Sequence, residues 1–137
     1  MKATELMIGD WVMNTHNRKP EQVCEIRERM VMLAYNDLYD YDEIEPIPLT
    51  AEILEQNGFI TKDKPDHWTG YRSYKYSEGS TGISFQLFHD TGKYKWSGKC
   101  EISLNALPYW IRFEYLHELQ HILKICRIDK EITIKED

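Results

Sequence analysis

The sequence predicts an α+β fold, and three features of its 137 residues support that prediction. Short runs that alternate apolar and polar residues fill the first third and the middle of the chain. A short capped helix lies between these β-rich regions, and an amphipathic helix lies near the C-terminus. Strands grouped in this way, instead of alternating with helices one by one, are typical of antiparallel sheets.

Residues 1-48 are predicted to form a small β module. The runs LMIGDWVM, QVCEIRER, MVMLAY and YDEIEPIPL are strand-like, and turn formers such as Gly9 and Asp10 separate them. In the second run, strict alternation places Val23 and Glu25 on one face. Four short strands with tight turns in so few residues predict a strongly bent, SH3-like barrel.

Residues 49-137 are predicted to add a linking helix, an antiparallel β-meander and a C-terminal helix, in one compact unit with the first module. Thr50 is a good N-cap for the linking helix in LTAEILEQNGF, and Gly58 suits its left-handed end. The alternating runs from GYRSYKYSEG to CEISLNALP predict the meander, with a hairpin turn at residues 90–92. The C-terminal helix covers about Glu114–Cys126, and KEITIKED after it is expected to be an edge strand or a frayed end.

Composition limits the classes of partner. The formal net charge of −6 disfavours nucleic acid, because binding to its phosphates relies on Lys and Arg. The sequence has no apolar run long enough for a signal peptide or a membrane span. Three widely spaced cysteines without a CxxC pair indicate reduced thiols. We therefore expect a cytoplasmic protein with no cofactor and no membrane partner, and its oligomeric state is left open.

Residues 117–121 read HELQH, which matches the HExxH signature of zinc hydrolases. In that signature two imidazoles four residues apart bind zinc, and the glutamate polarises a water molecule. His117, His121 and Glu118 would take these roles. A catalytic zinc also needs a third protein ligand, but Lys124 and Arg127 occupy the Gly and His positions of the longer HExxHxxGxxH pattern.

The helical wheel gives a second argument against a metal site. One apolar arc predicts the core face and contains Tyr115, Leu116, Leu119, Ile122, Leu123 and Cys126. His117 and His121 fall on the opposite side, which predicts a solvated face without a cleft. The sequence therefore predicts no metal site, and the alternative is a zinc-dependent hydrolase that uses His117, Glu118 and His121.

Three stretches, LMIGDWV, EIEPIPLTAEILEQNGF and YLHELQHILKIC, together resemble a family of uncharacterised small proteins from gut Bacteroidetes and their phage-like and mobile elements. The resemblance spans most of the chain, although residues 61–105 match only as a β-rich region. In that family the positions that match Glu118 and His121 are often Gln and Asn, which a zinc protease would not tolerate. The resemblance implies a phage or mobile-element setting and argues against an enzyme.

Aromatic residues crowd the predicted meander and form the candidate partner surface: Trp68, Tyr71, Tyr74, Tyr76, Tyr94 and Trp96. Tyr71 and Tyr74 lie on opposite faces of one predicted strand. Exposed Tyr and Trp concentrate binding energy, whereas buried ones would be core and cross-strand pairs. We expect a non-enzymatic module that binds a protein. The alternatives are the zinc-dependent hydrolase and a nucleic-acid adaptor that binds through the barrel.

Carboxylates cluster in NDLYDYDEIE, from Asp37 to Glu45. Clustered oxygens suit a cation or a basic peptide. A charged edge strand that resists aggregation has the same pattern. Because the run lacks the spacing and the glycine of a calcium loop, the edge strand is the favoured interpretation.

The motif analysis predicts that the protein binds no stoichiometric zinc. Elemental analysis of untagged protein tests this prediction. About one zinc per chain, lost in His121→Ala, would support the hydrolase instead.

Overall fold

The computed structural model describes residues 1–34, 37–62, 71–78, 81–88, 100–103 and 110–135, with the backbone alone at 81, 100–103 and 110–111. The fold is α+β, as predicted, and the chain divides into two compact units. The first contains Met1–Ile47 and Tyr115–His121, and the second contains Pro48–Glu114 and Ile122–Lys135. Within the described part of the chain, no helix is long and apolar enough to cross a membrane.

The first unit contains an antiparallel five-stranded sheet with the strand order β4-β3-β2-β1-β5. Its strands are β1 (Trp11–Asn14), β2 (Lys19–Ile26), β3 (Met30–Leu33), β4 (Leu38–Asp40) and β5 (Ile44–Pro46). Single 3₁₀ turns lie at Ala3–Glu5 and Tyr41–Glu43. The short strands predicted for this segment are therefore present.

The connection between β4 and β5 forces this sheet to curl. These strands lie on opposite edges, and in a flat sheet they would be about 19 Å apart, which is four strand spacings. The chain from Asp40 to Ile44 can span at most about 14 Å. No ladder joins β4 to β5 among the described strands, so the sheet is not closed into the predicted barrel.

A β-bulge interrupts the pairing of β2 with β3 between Val23 and Glu25. Val23 is buried, whereas Cys24 and Glu25 are exposed. The prediction that Val23 and Glu25 share a face is therefore wrong, because the extra residue shifts the alternation by one. A bulge also bends its strand, which agrees with the curl of the sheet.

The core of the first unit is formed by alternate residues of the strands. Its buried members are Leu6, Val12, Val23, Val31, Leu33 and Ile44. One polar pair is buried in this unit, in which the amide of Asn14 donates to Glu21 Oε2 at 2.6 Å. A buried polar group needs such a partner to avoid a large desolvation cost.

The second unit opens with helix α1 (Ala51–Gln56), and both predicted end signals are confirmed. The hydroxyl of Thr50 accepts from Ile53 N at 3.2 Å. Gly58 has a φ of +83°, and the backbone amide of Phe59 donates to Leu54 O at 3.0 Å. Leu54 and Phe59 are both buried, as expected for the apolar contact that accompanies this helix end.

The predicted meander is confirmed as a four-stranded antiparallel sheet in the order β6-β7-β8-β9. Its strands are β6 (Tyr71–Glu78), β7 (Thr81–Phe88), β8 (Cys100–Ser103) and β9 (Trp110–Phe113). The Phe85 ring contacts Phe59 and Phe113 edge-on, with ring centroids 5.6 and 5.4 Å apart. The hairpin turn expected at residues 90–92 lies outside the described residues.

Helix α2 (Leu116–Ile125) is followed by an extended tail that an amide side chain anchors. Asn57 Oδ1 accepts from Thr133 N, and Asn57 Nδ2 donates to Thr133 O, both at 2.8 Å. Ile128 and Ile132 in the tail are buried. The tail is therefore neither an edge strand nor a frayed end, because a side chain replaces the strand partner.

Asn57→Ala is expected to lower the free energy of unfolding by about 1–3 kcal/mol, because Asn57 is buried and Thr133 would lose both bonds. Gln56→Ala, at the exposed neighbouring position, is the matched control and should change stability by less than about 0.5 kcal/mol. Urea denaturation of both variants measures the difference. Equal midpoints would contradict the anchoring role.

Candidate functional site

The start of β1 and the first turns of α2 bring three titratable side chains together in the first unit: Asp10, His117 and His121. We call them the histidine–aspartate cluster. Asp10 is fully buried, and its Oδ2 lies 2.7 Å from His121 Nε2. The same oxygen accepts from Met7 N at 2.8 Å. The chain reverses here through Gly9, whose φ of +96° favours glycine.

Gln120 attaches the helix to the backbone of the same turn. Its Oε1 accepts from Trp11 N at 2.9 Å, and its Nε2 donates to Gly9 O at 3.0 Å. Gln22 from β2 donates to the same carbonyl at 3.1 Å. The side-chain amide of Gln120 therefore takes the place of a peptide group and pairs with Gly9 and Trp11 at the start of β1.

His117 is 6% exposed and is stacked on Tyr115, with ring centroids 6.0 Å apart. Its ring centroid lies 5.6 Å from that of His121. Among the described residues, neither His117 Nδ1 nor Asp10 Oδ1 has a hydrogen-bond partner, although both are buried. Burial lowers the pKa of His117 below its usual 6.5 despite the nearby carboxylates. His117 is therefore neutral at pH 7.

The other two residues of HELQH also have structural contacts. Glu118 Oε1 accepts from Tyr115 N at 3.1 Å, as the third residue of a capped helix does. Leu119 is fully buried, which confirms its predicted place in the core. Among the described residues, no three His, Cys, Asp or Glu side chains are arranged to hold a metal ion.

The prediction that His117 and His121 lie on a solvated face is wrong. His117 is buried, and the His121 side chain is only 24% exposed. The helical wheel assigns polar residues to solvent, but the buried carboxylate of Asp10, just before β1, supplies a polar partner inside the unit. Asp10 and Gln120 were missed because their partners, His121 and Gly9, are each 111 positions away in the sequence.

The candidate aromatic surface is only partly supported in the second unit. Tyr74 is fully buried and cannot contact a partner, because its strand face is the core face of the meander. Tyr76 is half-buried against Phe59, with ring centroids 5.5 Å apart. Tyr71 is 39% exposed. Trp68, Tyr94 and Trp96 lie outside the described residues.

The other face of β6 forms a surface that we call the outer face: Ile60, Tyr71, Ser73, Lys75, Ser84 and Gln86. Ile60 and Lys75 exchange two backbone hydrogen bonds of 2.8 and 2.9 Å, which places both side chains on this face. Ile60 is 59% exposed. It borders a shallow depression of about 170 Å³ that Lys62 also lines. Sequence reasoning missed Ile60, although the change from buried Phe59 to exposed Ile60 follows strand periodicity.

The acidic run lies on β4, the 3₁₀ turn and β5, which confirms its predicted place at a sheet edge. Asp37, Asp40 and Asp42 are exposed. Glu43 Oε2 lies 2.6 Å from His16 Nε2 in a largely exposed pair. Like charges along an edge oppose pairing with another copy of the strand.

Comparison of the sequence with family models, curated proteins and solved structures found no match. The two candidate sites are the histidine–aspartate cluster of the first unit and the outer face of the second.

His121→Ala is expected to lower the free energy of unfolding by about 1–3 kcal/mol at pH 7, because the buried Asp10 carboxylate loses its imidazole partner. His16→Ala is the matched control, since His16 makes a similar contact with Glu43 but its side chain is 63% exposed. That change should stay within about 0.5 kcal/mol. Equal losses in urea denaturation would contradict the structural role of the Asp10–His121 contact.

Proposed function

We propose that this protein is a non-enzymatic protein-binding module whose outer face contacts the partner. The observation that carries the proposal is the pair of exposed apolar side chains, Ile60 and Tyr71, on one face of β6. Ile60 lies opposite Lys75, which is four residues from Tyr71 along β6. Ile60 and Tyr71 are therefore about 14 Å apart. Ile60 borders the depression, and exposed tyrosines are enriched where binding surfaces concentrate their energy.

The polarity of the two sheet faces supports this role. The inner face has buried Tyr74 and Phe85 in cross-strand register. On the outer face, Ser73 pairs with Gln86 and Lys75 pairs with Ser84. Ile60 and Tyr71 are therefore apolar contact points at the ends of a polar surface, a distribution that suits a partner which can separate from it.

Charge indicates the chemistry of the partner. Lys62 and Lys75 line the depression, and neither forms an ion pair with another described residue. Lysines without an ion-pair partner in the described part of a chain of net charge −6 favour a segment that carries carboxylates beside an apolar side chain. We propose such a segment of another protein as the partner.

We propose that the curled sheet of the first unit is an open form of a small SH3-like barrel, in which no ladder joins β4 to β5 among the described strands. The support is the single 3₁₀ turn that joins the two edge strands, together with the bulge that bends β2. A nucleic-acid adaptor is disfavoured, because exposed carboxylates occupy this edge.

We propose that the protein belongs to a phage or mobile-element context. We also propose that it is located in the cytoplasm. The phage setting rests on the landmarks LMIGDWV, EIEPIPLTAEILEQNGF and YLHELQHILKIC. The free thiols of Cys24 and Cys126 support a reducing compartment.

The double variant Ile60→Ser/Tyr71→Ser is expected to bind the partner at least about tenfold more weakly, because both contact points are truncated. The partner is first isolated by affinity capture from native lysate, and its dissociation constant is then measured by calorimetry. Ile125→Ser is the matched control, since Ile125 is 75% exposed but lies on α2. Equal affinities of the double variant and the wild type would refute the outer face as the binding surface.

A further inference from the structure

The histidine–aspartate cluster contains two imidazoles but one buried carboxylate. Asp10 contacts His121, and the rings of His121 and His117 are neighbours. One carboxylate can balance one imidazolium. A proton on His117 would therefore place a positive charge in a buried site whose Nδ1 has no acceptor among the described residues.

The groups around His117 do not supply a second buried counter-charge. The carboxylates that act on it are Asp10, Glu118 of α2 and Glu5 of the first 3₁₀ turn, and Tyr115 covers one ring face. Glu118 is half-buried and accepts from Tyr115 N. Glu5 is exposed, and its Oε2 accepts from Lys2 N at 2.8 Å. Only Asp10 is fully buried, and it is already engaged with His121.

We propose that the histidine–aspartate cluster is a pH-sensitive clasp, which holds the turn Met7–Asp10 against α2 while His117 is neutral and releases it when His117 takes a proton. Release lets the imidazolium of His117 reach water. The contacts broken are those that Gln120 makes with Trp11 N and Gly9 O, together with the contact of His121 with Asp10. The turn stays bonded to β2 on release, because Gly9 N donates to Val23 O and Val23 N donates to Asp10 O, both at 2.8 Å.

The direction of the pH effect follows from proton binding. In the released state His117 has its ordinary pKa near 6.5, whereas burial in the clasp lowers that pKa. The released state therefore binds more protons just below pH 6.5, and the clasp weakens as the pH falls through this range. Above it, neither state is protonated at His117 and the clasp is at its full strength.

Amide hydrogen exchange of the full chain, corrected for intrinsic rates, tests the clasp at the Trp11 amide, which donates to Gln120 of α2. Its opening constant should rise about tenfold for each pH unit below 6.5, until the lowered pKa of His117 is reached, since one proton is taken up. His117→Gln should abolish this rise, whereas His16→Gln, which removes an exposed histidine, should retain it. The Arg27 amide, which bonds to Met30 O in the β2–β3 hairpin, should not respond.

Three results would overturn the clasp: a pH-independent opening constant, a rise that persists in His117→Gln, or an equal rise at Arg27. If His117→Gln does not fold, NMR titration of the wild-type histidines decides. His117 should then titrate below the ordinary imidazole pKa of 6.5. Titration of His117 at 6.5 or above would overturn the proposal.

Discussion

The first unit depends on side chains of α2 that satisfy the backbone where β1 begins. Gln120 accepts from Trp11 N and donates to Gly9 O, while His121 contacts the buried Asp10 carboxylate. A buried backbone amide or carbonyl without a partner is costly, so these contacts fix both the position of the strand and the rotation of the helix. Within HELQH, Gln120 and His121 meet this requirement, whereas Glu118 caps the helix and Leu119 lies in the core.

Each unit uses a primary amide where a peptide group would otherwise be needed. Gln120 does so at β1, and Asn57 does so for the tail through Thr133. An amide side chain carries a donor and an acceptor in one plane, as the backbone does. A carboxylate of similar size could accept from the backbone but could not donate to a carbonyl. The chemistry therefore favours Gln and Asn at these two positions over the acidic residues that are common elsewhere in this chain.

Sequence patterns were sufficient where the determining contacts are local. The cap at Thr50, the glycine that ends α1 and the alternation along β6 each involve residues within a few positions of one another. The bulge at Cys24 was not predictable, since it depends on register with β3. The burial of His117 was not predictable either, because it depends on a unit that includes residues about 110 positions earlier. For Tyr74, strand parity placed it on the face opposite Tyr71, but parity alone does not show which of the two faces is buried.

The first unit combines two chain segments that are far apart in the sequence, and this affects the order in which it can fold during synthesis. Its five strands are made from the first 47 residues, but the segment Tyr115–His121 that completes it is translated much later. Until that segment leaves the ribosome, Gly9 O, Trp11 N and Asp10 lack their helical partners. More than 60 further residues must therefore be translated before the nascent sheet can form its final contacts. A pause in translation within the meander would lengthen the life of this incomplete state, and with it the exposure of the chain to chaperones and proteases.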